Sequence, residues 1–281
     1  MKRSKMEGMT RTIVAIVLAA ATIGVSPCVL GQIWNPVKQK MLSGATIVAK
    51  RVDSADPTTY CNIASTPGTD FTWTDMVHSG LEFSYVWQAW AAPCPTAVAT
   101  MRGAEIFYTK RVNFITKAYF RSPDPSANEL VLKEMQHATD GGAMVIMIQV
   151  ENVAQAQQVV QRAYYPPIGA RDLGPGQYDT VYPASVTGGN YVGTYNANLV
   201  VIASIGTVAG VSQAKGIAAL PGIHALVLDT MNLESDSGYP QGSPDFNKLA
   251  QFVQLSALAS RKYQCTADRS TTPNTLTCRK S

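Results

Sequence analysis

The sequence predicts an α/β protein that folds as one TIM-type (β/α) barrel. Short β-rich runs alternate with amphipathic helical stretches, and this order is typical of a parallel sheet with crossover helices. Apolar residues make up 46% of the 281 residues, which is sufficient for a large buried core, and the length is normal for a single barrel. Charged residues make up only 15%, which argues against a disordered chain.

The first segment of the chain has the layout of a secretory signal peptide. Met1 to Arg11 carries four basic residues and one acidic residue, and Thr12 to Val25 forms an apolar run of 14 residues. A bilayer span needs about 20 such residues, and the small residues up to Gly31 suit cleavage. We therefore expect a signal peptide over 1–31, a mature barrel domain over 32–281 and a periplasmic or secreted location. An uncleaved anchor or a buried helix is the alternative.

Loss of the signal peptide removes most of the net positive charge. The whole chain has 23 Lys and Arg against 19 Asp and Glu, and residues 1–31 hold four of the basic residues and one of the acidic ones. The mature domain therefore has 19 basic and 18 acidic residues, a net charge of +1. A nearly neutral domain gives no reason to expect nucleic acid, or a membrane after signal cleavage, as a partner.

Four of the five cysteines belong to the mature domain, and an even number in an oxidising compartment permits two disulfides in three possible pairings. We favour Cys265–Cys278, because the turn-rich tail between these residues would otherwise fray. Cys61–Cys94 would then join the first two β/α units, and four reduced, buried thiols are the alternative. Because no CxxC pair occurs and the three histidines are scattered, a Cys/His zinc site is not expected.

Six strands and six helices are predicted along the mature chain. The strands are short β-rich runs, namely Ala45–Val52, Asp70–Asp75, Asn113–Arg121, Ala143–Val150, Leu199–Ile205 and Ala225–Leu228. The helices lie between them, namely Pro57–Ser65, Leu81–Ala92, Asn128–Thr139, Val153–Tyr164, Val208–Ala219 and Pro244–Tyr263. Tyr165–Asn198 is predicted to be a long loop, and loops of that length are more often functional than idle.

The end of the chain decides how the barrel closes. Gln264–Ser281 has room for two short strands but not for an eighth outer helix. We expect the last outer helix to be missing or replaced by a short, disulfide-capable tail. Either two brief strands near Tyr263–Thr266 and Thr275–Arg279 close the barrel, or the barrel stays partly open.

The candidate catalytic residues lie at strand ends, because β/α barrels carry their chemistry at the carboxyl ends of the strands. Asp75 and His78 follow the second strand three residues apart, so the carboxylate can accept from one ring nitrogen and leave the other as a base. Arg121 ends the third strand, and its guanidinium suits a substrate carboxylate or a developing enolate. This set fits proton transfer beside a carbonyl. A structural histidine with a surface arginine is the alternative.

Further residues at strand ends and in the long loop are predicted to bind substrate. They are Gln149, Ser204, Gly206, Asn232, Gly176, Gln177 and Tyr178. The other two histidines, His137 and His224, are expected to be solvated or to cap helices.

Tyr164 to Arg171 reads YYPPIGAR, which resembles the RYPPxGxRG segment of the HpcH/HpaI aldolase/citrate lyase family. The nearby stretches Asp140–Ala143 and Val150–Ala156 are similar to the fourth β/α unit of that family. Other stretches fit its first and later units, namely Asn35–Lys38, Leu220–Ile223 and Ser237–Gly242. The resemblance covers about residues 35–265.

The resemblance implies a class II aldolase, in which a divalent metal holds a pyruvate enolate. On this pattern His78 is the base, Asp75 orients it and Arg121 polarises the substrate. The metal ligands implied by the family are a Glu and an Asp, and this chain has Gly206 and Asn232 at those positions. Because Mg²⁺ and Mn²⁺ need hard anionic oxygens, we expect no metal cofactor. The alternative is Mg²⁺ or Mn²⁺ held by other carboxylates, namely Asp229, Glu234 or Glu151.

Three functions are compatible with these residues. The first is an aldolase-like carbon–carbon lyase that uses the His/Asp base and the Arg clamp without a metal. Its substrate would carry an aromatic side chain that serves as an electron sink and occupies a larger cavity left by Gly206. The second is a metal-dependent 2-oxo-acid aldolase with relocated ligands, and the third is a non-catalytic binding protein. In each case the expected partner is a small carboxylate or phenolic molecule. A homo-oligomer is also compatible with the sequence, although the missing last helix argues against an oligomer that exchanges this helix.

Overall fold

The computed structural model describes residues 33–76, 78, 114–119, 125–140, 142–174 and 190–280. Eight strands follow one another around a closed barrel and confirm the predicted fold class. In chain order they are β1 Ile47–Arg51, β2 Phe71–Asp75, β3 Phe114–Tyr119, β4 Val145–Gln149, β5 Val200–Ile205, β6 Ala225–Leu228, β7 Tyr263–Asp268 and β8 Thr275–Lys280. The helices of the described ranges are α1 Pro36–Ser43, α2 Pro57–Ala64, α3 Pro125–Asp140, α4 Val153–Ala163, α5 Tyr191–Asn198, α6 Val208–Ala219, α7 Thr230–Ser237 and α8 Pro244–Ala259.

The barrel wall separates two apolar layers. Along β4, Val145 and Met147 pack in the interior, whereas Ile146 and Ile148 pack against the surrounding helices. The next strand, β5, repeats this alternation, and every residue of both strands is buried. Parallel strands covered on both faces need apolar residues at nearly every position, which explains why the sequence reads here as continuous β-rich runs.

Capping side chains place several helix boundaries away from the predicted ones. Asp229 accepts from the backbone N–H of Asn232 and starts α7, so Asn232 lies in a helix rather than at a strand end. Asn190 caps α5 in the same way, and this helix occupies the end of the segment predicted to be a long loop. The last helix stops at Ala259, because Arg261 adopts a left-handed φ of 55° before the chain enters β7.

The last two strands close the barrel in the predicted segments. β7 runs parallel to β6, whereas β8 runs antiparallel to both β7 and β1. The hairpin turn Arg269–Asn274 therefore lies at the same end of the barrel as the carboxyl ends of β1–β7. Cys265 and Cys278 face each other across this hairpin and form the predicted disulfide in the barrel interior.

Some predictions concern residues outside the described ranges. Cys61 is buried and disulfide-bonded, and its expected partner, Cys94, lies outside the described residues. The signal peptide over 1–31 lies outside them too, so it and the periplasmic or secreted location stay predictions. None of the helices within the described ranges is long and apolar enough to cross a bilayer.

The YYPPIGAR segment has a structural role beside β4 and α4. Arg171 is buried, pairs with Asp140 and lies over the rings of Tyr165 and Tyr195, at 5.4 and 5.0 Å from the ring centres. A buried guanidinium needs such partners, since an uncompensated charge in the core is costly. A Cβ added to Gly169 would lie 2.6 Å from a carbonyl oxygen of α4, so this close approach requires glycine.

Candidate active site

The candidate site is the mouth of the barrel at the carboxyl ends of β1–β7. A cleft with about 480 Å³ of empty space, part of it open to solvent, lies at this mouth. Four charged side chains from four segments line it, namely Arg51, Asp75, Asp229 and Arg269. Trp73 and Ser204 are also part of the lining. Two cations and two anions therefore face one small space.

Asp75 and His78 form the contact that the sequence predicts. Nδ1 of His78 lies 3.2 Å from Oδ2 of Asp75, and the backbone N–H of His78 donates to Oδ1 over 3.1 Å. The carboxylate is 5% exposed, whereas the imidazole is 60% exposed. Because a carboxylate accepts and does not donate, Nδ1 carries the proton and Nε2 keeps a lone pair for proton transfer. The catalytic roles of the two residues stay predictions.

Two further arginines, which are not among the site residues predicted from the sequence, lie at the same mouth. Arg51 is the last residue of β1, pairs with Asp53 and places Nη2 3.5 Å from Oδ2 of Asp75. Arg269 is in the hairpin turn and places Nη2 3.5 Å from Oδ1 of Asp229. The alternation along β1 could have identified Arg51 as an inward-facing residue, whereas Arg269 required knowledge of the antiparallel course of β8.

Gln149, a predicted substrate-binding residue, is fully buried at the end of β4 beside Ser204 of β5. Neither atom of its amide has a hydrogen-bond partner among the described residues. A Cβ added to Gly206 would lie 3.1 Å from Nε2 of Gln149 and 3.0 Å from Cβ of Asn232. The expectation of a larger cavity beside Gly206 is therefore wrong, because these two side chains fill that space.

The described side chains at this mouth do not fit a divalent metal ion. Nδ2 of Asn232 donates to Oδ2 of Asp229 over 2.7 Å, while Arg269 faces Oδ1 of the same carboxylate. Glu234, an alternative ligand, accepts from Gln241. Within the ranges that the structure describes, no three His, Cys, Asp or Glu side chains form a group that could hold a metal ion. Mg²⁺ and Mn²⁺ prefer several hard anionic oxygens, which this donor set does not provide.

The structure brings six of the ten predicted site residues together at the mouth. They are Asp75, His78, Gln149, Ser204, Gly206 and Asn232. The predicted clamp and the predicted loop residues lie outside the described residues, namely Arg121, Gly176, Gln177 and Tyr178.

His137 is exposed, as predicted, whereas the prediction for His224 is wrong. His224 is partly buried at the opposite, amino-terminal end of the barrel, where the backbone N–H of Val201 donates to its Nδ1 over 3.2 Å. The ring proton therefore lies on Nε2, next to Nζ of Lys38. Desolvation lowers the pKa of His224 well below its usual value and lowers the pKa of Lys38 to about 8. His224 is therefore uncharged at neutral pH, and Lys38 of α1 beside it loses its charge only above a pH of about 8.

Comparison with known proteins decides the family. A sequence model of the HpcH/HpaI aldolase/citrate lyase family matches residues 106–272, which is more than half of the chain. The chain belongs to this family. The YYPPIGAR segment lies within the matched residues, so the resemblance drawn from it is confirmed.

The curated relatives that match this chain are named as aldolases. The 4-hydroxy-2-oxovalerate aldolase of Novosphingobium aromaticivorans is 34% identical over 128 residues, which are 44% of this chain and 45% of that enzyme. The 2-keto-3-deoxy-L-rhamnonate aldolase of Klebsiella pneumoniae is 23% identical over 220 residues, 77% of this chain and 73% of that enzyme. The first alignment therefore spans less than half of the relative's length.

Solved structures from the HpcH/HpaI family have the same fold. The HpcH/HpaI aldolase of Desulfitobacterium hafniense superposes with a TM-score of 0.64 over 82% of this chain and 80% of that chain, at 20% identity. An HpcH/HpaI aldolase/citrate lyase family protein of Burkholderia cenocepacia also gives a TM-score of 0.64, over 83% of this chain and 84% of that chain, at 19% identity. These superpositions establish the barrel architecture independently of the residues at its mouth.

Proposed function

We propose that this protein is an aldolase-like carbon–carbon lyase that cleaves a small 4-hydroxy-2-oxo acid without a divalent metal. The observation that carries this proposal is the 3.2 Å contact between Asp75 and His78 at the barrel mouth. Membership of an aldolase/lyase family supports the reaction class. The two relatives are named for 4-hydroxy-2-oxovalerate and 2-keto-3-deoxy-L-rhamnonate, which supports the substrate class.

In this reaction His78 moves one proton. Nε2 accepts the proton of the substrate hydroxyl on C4, the C3–C4 bond breaks, and its electron pair forms the enolate of the 2-oxo acid while an aldehyde leaves. The same nitrogen then returns the proton to C3, so the enzyme ends in its starting state. Asp75 holds the ring in the tautomer that this requires and stabilises the imidazolium that forms in between.

Polar groups at the mouth bind the substrate in this proposal. The buried amide of Gln149 has no partner among the described residues, and a buried polar group without a hydrogen bond costs about 1–3 kcal/mol. A substrate oxygen that bonds to this amide removes that cost on binding. Ser204 lines the cleft beside it, and Trp73 and Met147 add an apolar wall that suits an aromatic substituent. Arg121 belongs to the same proposal as the residue that binds the substrate carboxylate.

Release of pyruvate in buffer that contains EDTA tests this proposal. The substrates are 4-hydroxy-2-oxovalerate and an analogue in which a 4-hydroxyphenyl group replaces the terminal methyl group. His78→Asn should lower kcat/KM by about 10²- to 10⁴-fold, which is the usual contribution of a general base. His137→Asn is the matched control, since it removes an exposed imidazole from α3.

Two results would contradict the proposal. Unchanged turnover in His78→Asn would remove the dyad from the mechanism. Activity that EDTA abolishes and Mn²⁺ restores would establish the metal-dependent alternative instead.

A further inference from the structure

The β7–β8 hairpin brings an arginine to the barrel mouth. Because β8 runs antiparallel, the turn Arg269–Asn274 faces the same cleft as Asp75 and Ser204. Asp268 accepts from the backbone N–H of Ser270 over 2.9 Å and from its hydroxyl over 2.6 Å, so the start of the turn is fixed. A barrel with eight parallel strands would have a βα loop at this place.

Arg51 and Arg269 differ in how far acidic partners balance their charge. Arg51 contacts two carboxylates at the mouth. Arg269 contacts one carboxylate of the described residues, Asp229, at 3.5 Å, and its Nη1 contacts the sulfur of Met231. A guanidinium has five N–H donors, so within the described part of the chain most donors of Arg269 are available to a bound anion.

A continuous set of contacts links Arg269 to the positions where the family resemblance places metal ligands. Oδ2 of Asp229 accepts from Nδ2 of Asn232 over 2.7 Å. Cβ of Asn232 lies 3.0 Å from where a Cβ of Gly206 would stand. Because Gly206 and Asn232 carry no charge, an anion that binds beside them meets one carboxylate, Asp229, whose charge Arg269 balances, rather than the two carboxylates that the resemblance implies.

We infer that Arg269 binds the enolate oxygen and thereby takes the electrostatic role that the resemblance assigns to a metal ion. This inference rests on the proposed function. When the C3–C4 electron pair moves towards the carbonyl, the negative charge on the enolate oxygen is stabilised by N–H donation from Arg269, and no proton leaves the guanidinium. The planar fork of this group also selects a ligand with two adjacent oxygens, which a 2-oxo acid provides.

Oxalate is the probe for this role, because it presents adjacent anionic oxygens like the enolate of pyruvate. Calorimetric titration in EDTA should show that oxalate binds to the wild-type protein. Arg269→Gln should weaken this binding by about 10-fold or more, since hydrogen bonds to charged groups are lost. Arg279→Gln, the same change at an exposed position of β8, should bind oxalate like the wild type.

Kinetics separate a role in the reaction from a role in folding. Arg269→Gln should lower kcat by about 100-fold, with a smaller change in KM, because the enolate charge develops during the reaction. Arg269→Lys keeps the charge and loses the fork, so it should recover part of kcat. This variant also provides the comparison if Arg269→Gln does not fold.

His78→Asn distinguishes this inference from the proposed function, because it should lose turnover and still bind oxalate. Wild-type oxalate affinity in Arg269→Gln would overturn the role of Arg269 and leave the dyad untouched. Oxalate binding that requires added Mn²⁺ would overturn it too. If the wild-type protein turns over no substrate, the proposed function fails, and an unchanged oxalate affinity in Arg269→Gln then rejects the anion site as well.

Discussion

Strands β4 and β5 are buried on both faces, whereas β7 and β8 are buried mainly on the inner face. Helices cover the outer face of the first pair, and Ala203 is one of the apolar residues that lie there. The outer face of the hairpin instead carries Gln264, Thr266 and Thr277, which can face water. A barrel can therefore lack its last outer helix when an antiparallel, outwardly polar hairpin closes the wall.

The barrel interior shows the same contrast. Met147 and Ile202 fill it from the parallel strands, and tight packing against their neighbours holds them there. From the hairpin, Cys265 and Cys278 reach the same interior and are joined covalently. The hairpin thus replaces part of the support that a covering helix would give with a bond between its two strands.

A charge introduced on the outer face of the wall should give the largest difference in stability between the parallel strands and the hairpin. Ala203→Asp puts a carboxylate at a fully buried position of β5 and should lower the free energy of unfolding by about 4 kcal/mol or more. Thr266→Asp puts the same group on the exposed outer face of β7 and should change this free energy by less than about 0.5 kcal/mol. Urea unfolding followed by circular dichroism measures both. Equal losses would show that the hairpin is covered as closely as the parallel strands.

Removal of the disulfide should have the next largest effect. Cys265 and Cys278 are 13 residues apart, and a loop of that length predicts a loss of about 3 kcal/mol in the double variant Cys265→Ala/Cys278→Ala. The shift of the urea midpoint without reducing agent measures this loss while the Cys61 disulfide stays intact. A loss below about 1 kcal/mol would mean that strand pairing alone holds the hairpin.

At the amino-terminal end of the barrel, Lys38 should make the free energy of unfolding depend on pH in the alkaline range. Burial and the nearby Lys262 lower the pKa of Lys38 to about 8 from its ordinary 10.5. The folded state then binds fewer protons than the unfolded state between these values. The free energy of unfolding should therefore rise with pH from about 8 to 10.5, by at most about 3 kcal/mol. Lys38→Met should remove most of this rise and leave the part due to Lys262, whose pKa is also lowered by burial, whereas Lys133→Met at an exposed position of α3 should keep the whole rise.

In the hairpin, Asp268 should make the free energy of unfolding depend only weakly on pH, and only in the acidic range. The hydroxyl and the backbone N–H of Ser270 lower the pKa of Asp268. Its contribution is therefore present above the ordinary pKa of an aspartate and is lost as the pH falls through the lowered value. Unfolding curves of Asp268→Asn between pH 3 and 7 measure this contribution. A pH dependence as large as that expected for Lys38 would contradict the difference between the hairpin and the parallel strands.

Strongly patterned elements could be predicted from the sequence, whereas helices that depend on a cap could not. Val208–Ala219 and Ala225–Leu228 have the predicted bounds, because their apolar residues match the period of a buried helix and a buried strand. The helices α1, α5 and α7 were not predicted. Each has eight residues and begins after a capping Asn or Asp, and such short helices carry little amphipathic pattern.

The contacts of the candidate site also differ in whether they could be predicted from the sequence. The contact between Asp75 and His78 could be predicted, since both residues follow one strand three positions apart. The approach of Arg269 to Asp229 could not, because it joins two segments whose relative position depends on how the barrel closes. Gln149 was predicted at the mouth, but its packing against Gly206 depends on side-chain volume across two strands.

Gln149 and Asn232 limit which side chains position 206 can carry. The first carbon of any side chain there would already meet Gln149 at 3.1 Å and Asn232 at 3.0 Å, and a carboxylate needs more room still. A side chain at position 206 therefore requires Gln149 or Asn232 to move by a few tenths of an ångström within a close-packed wall. The residue at position 206 is thus coupled to Gln149, because the room for a side chain at 206 depends on how far the Gln149 amide can turn away.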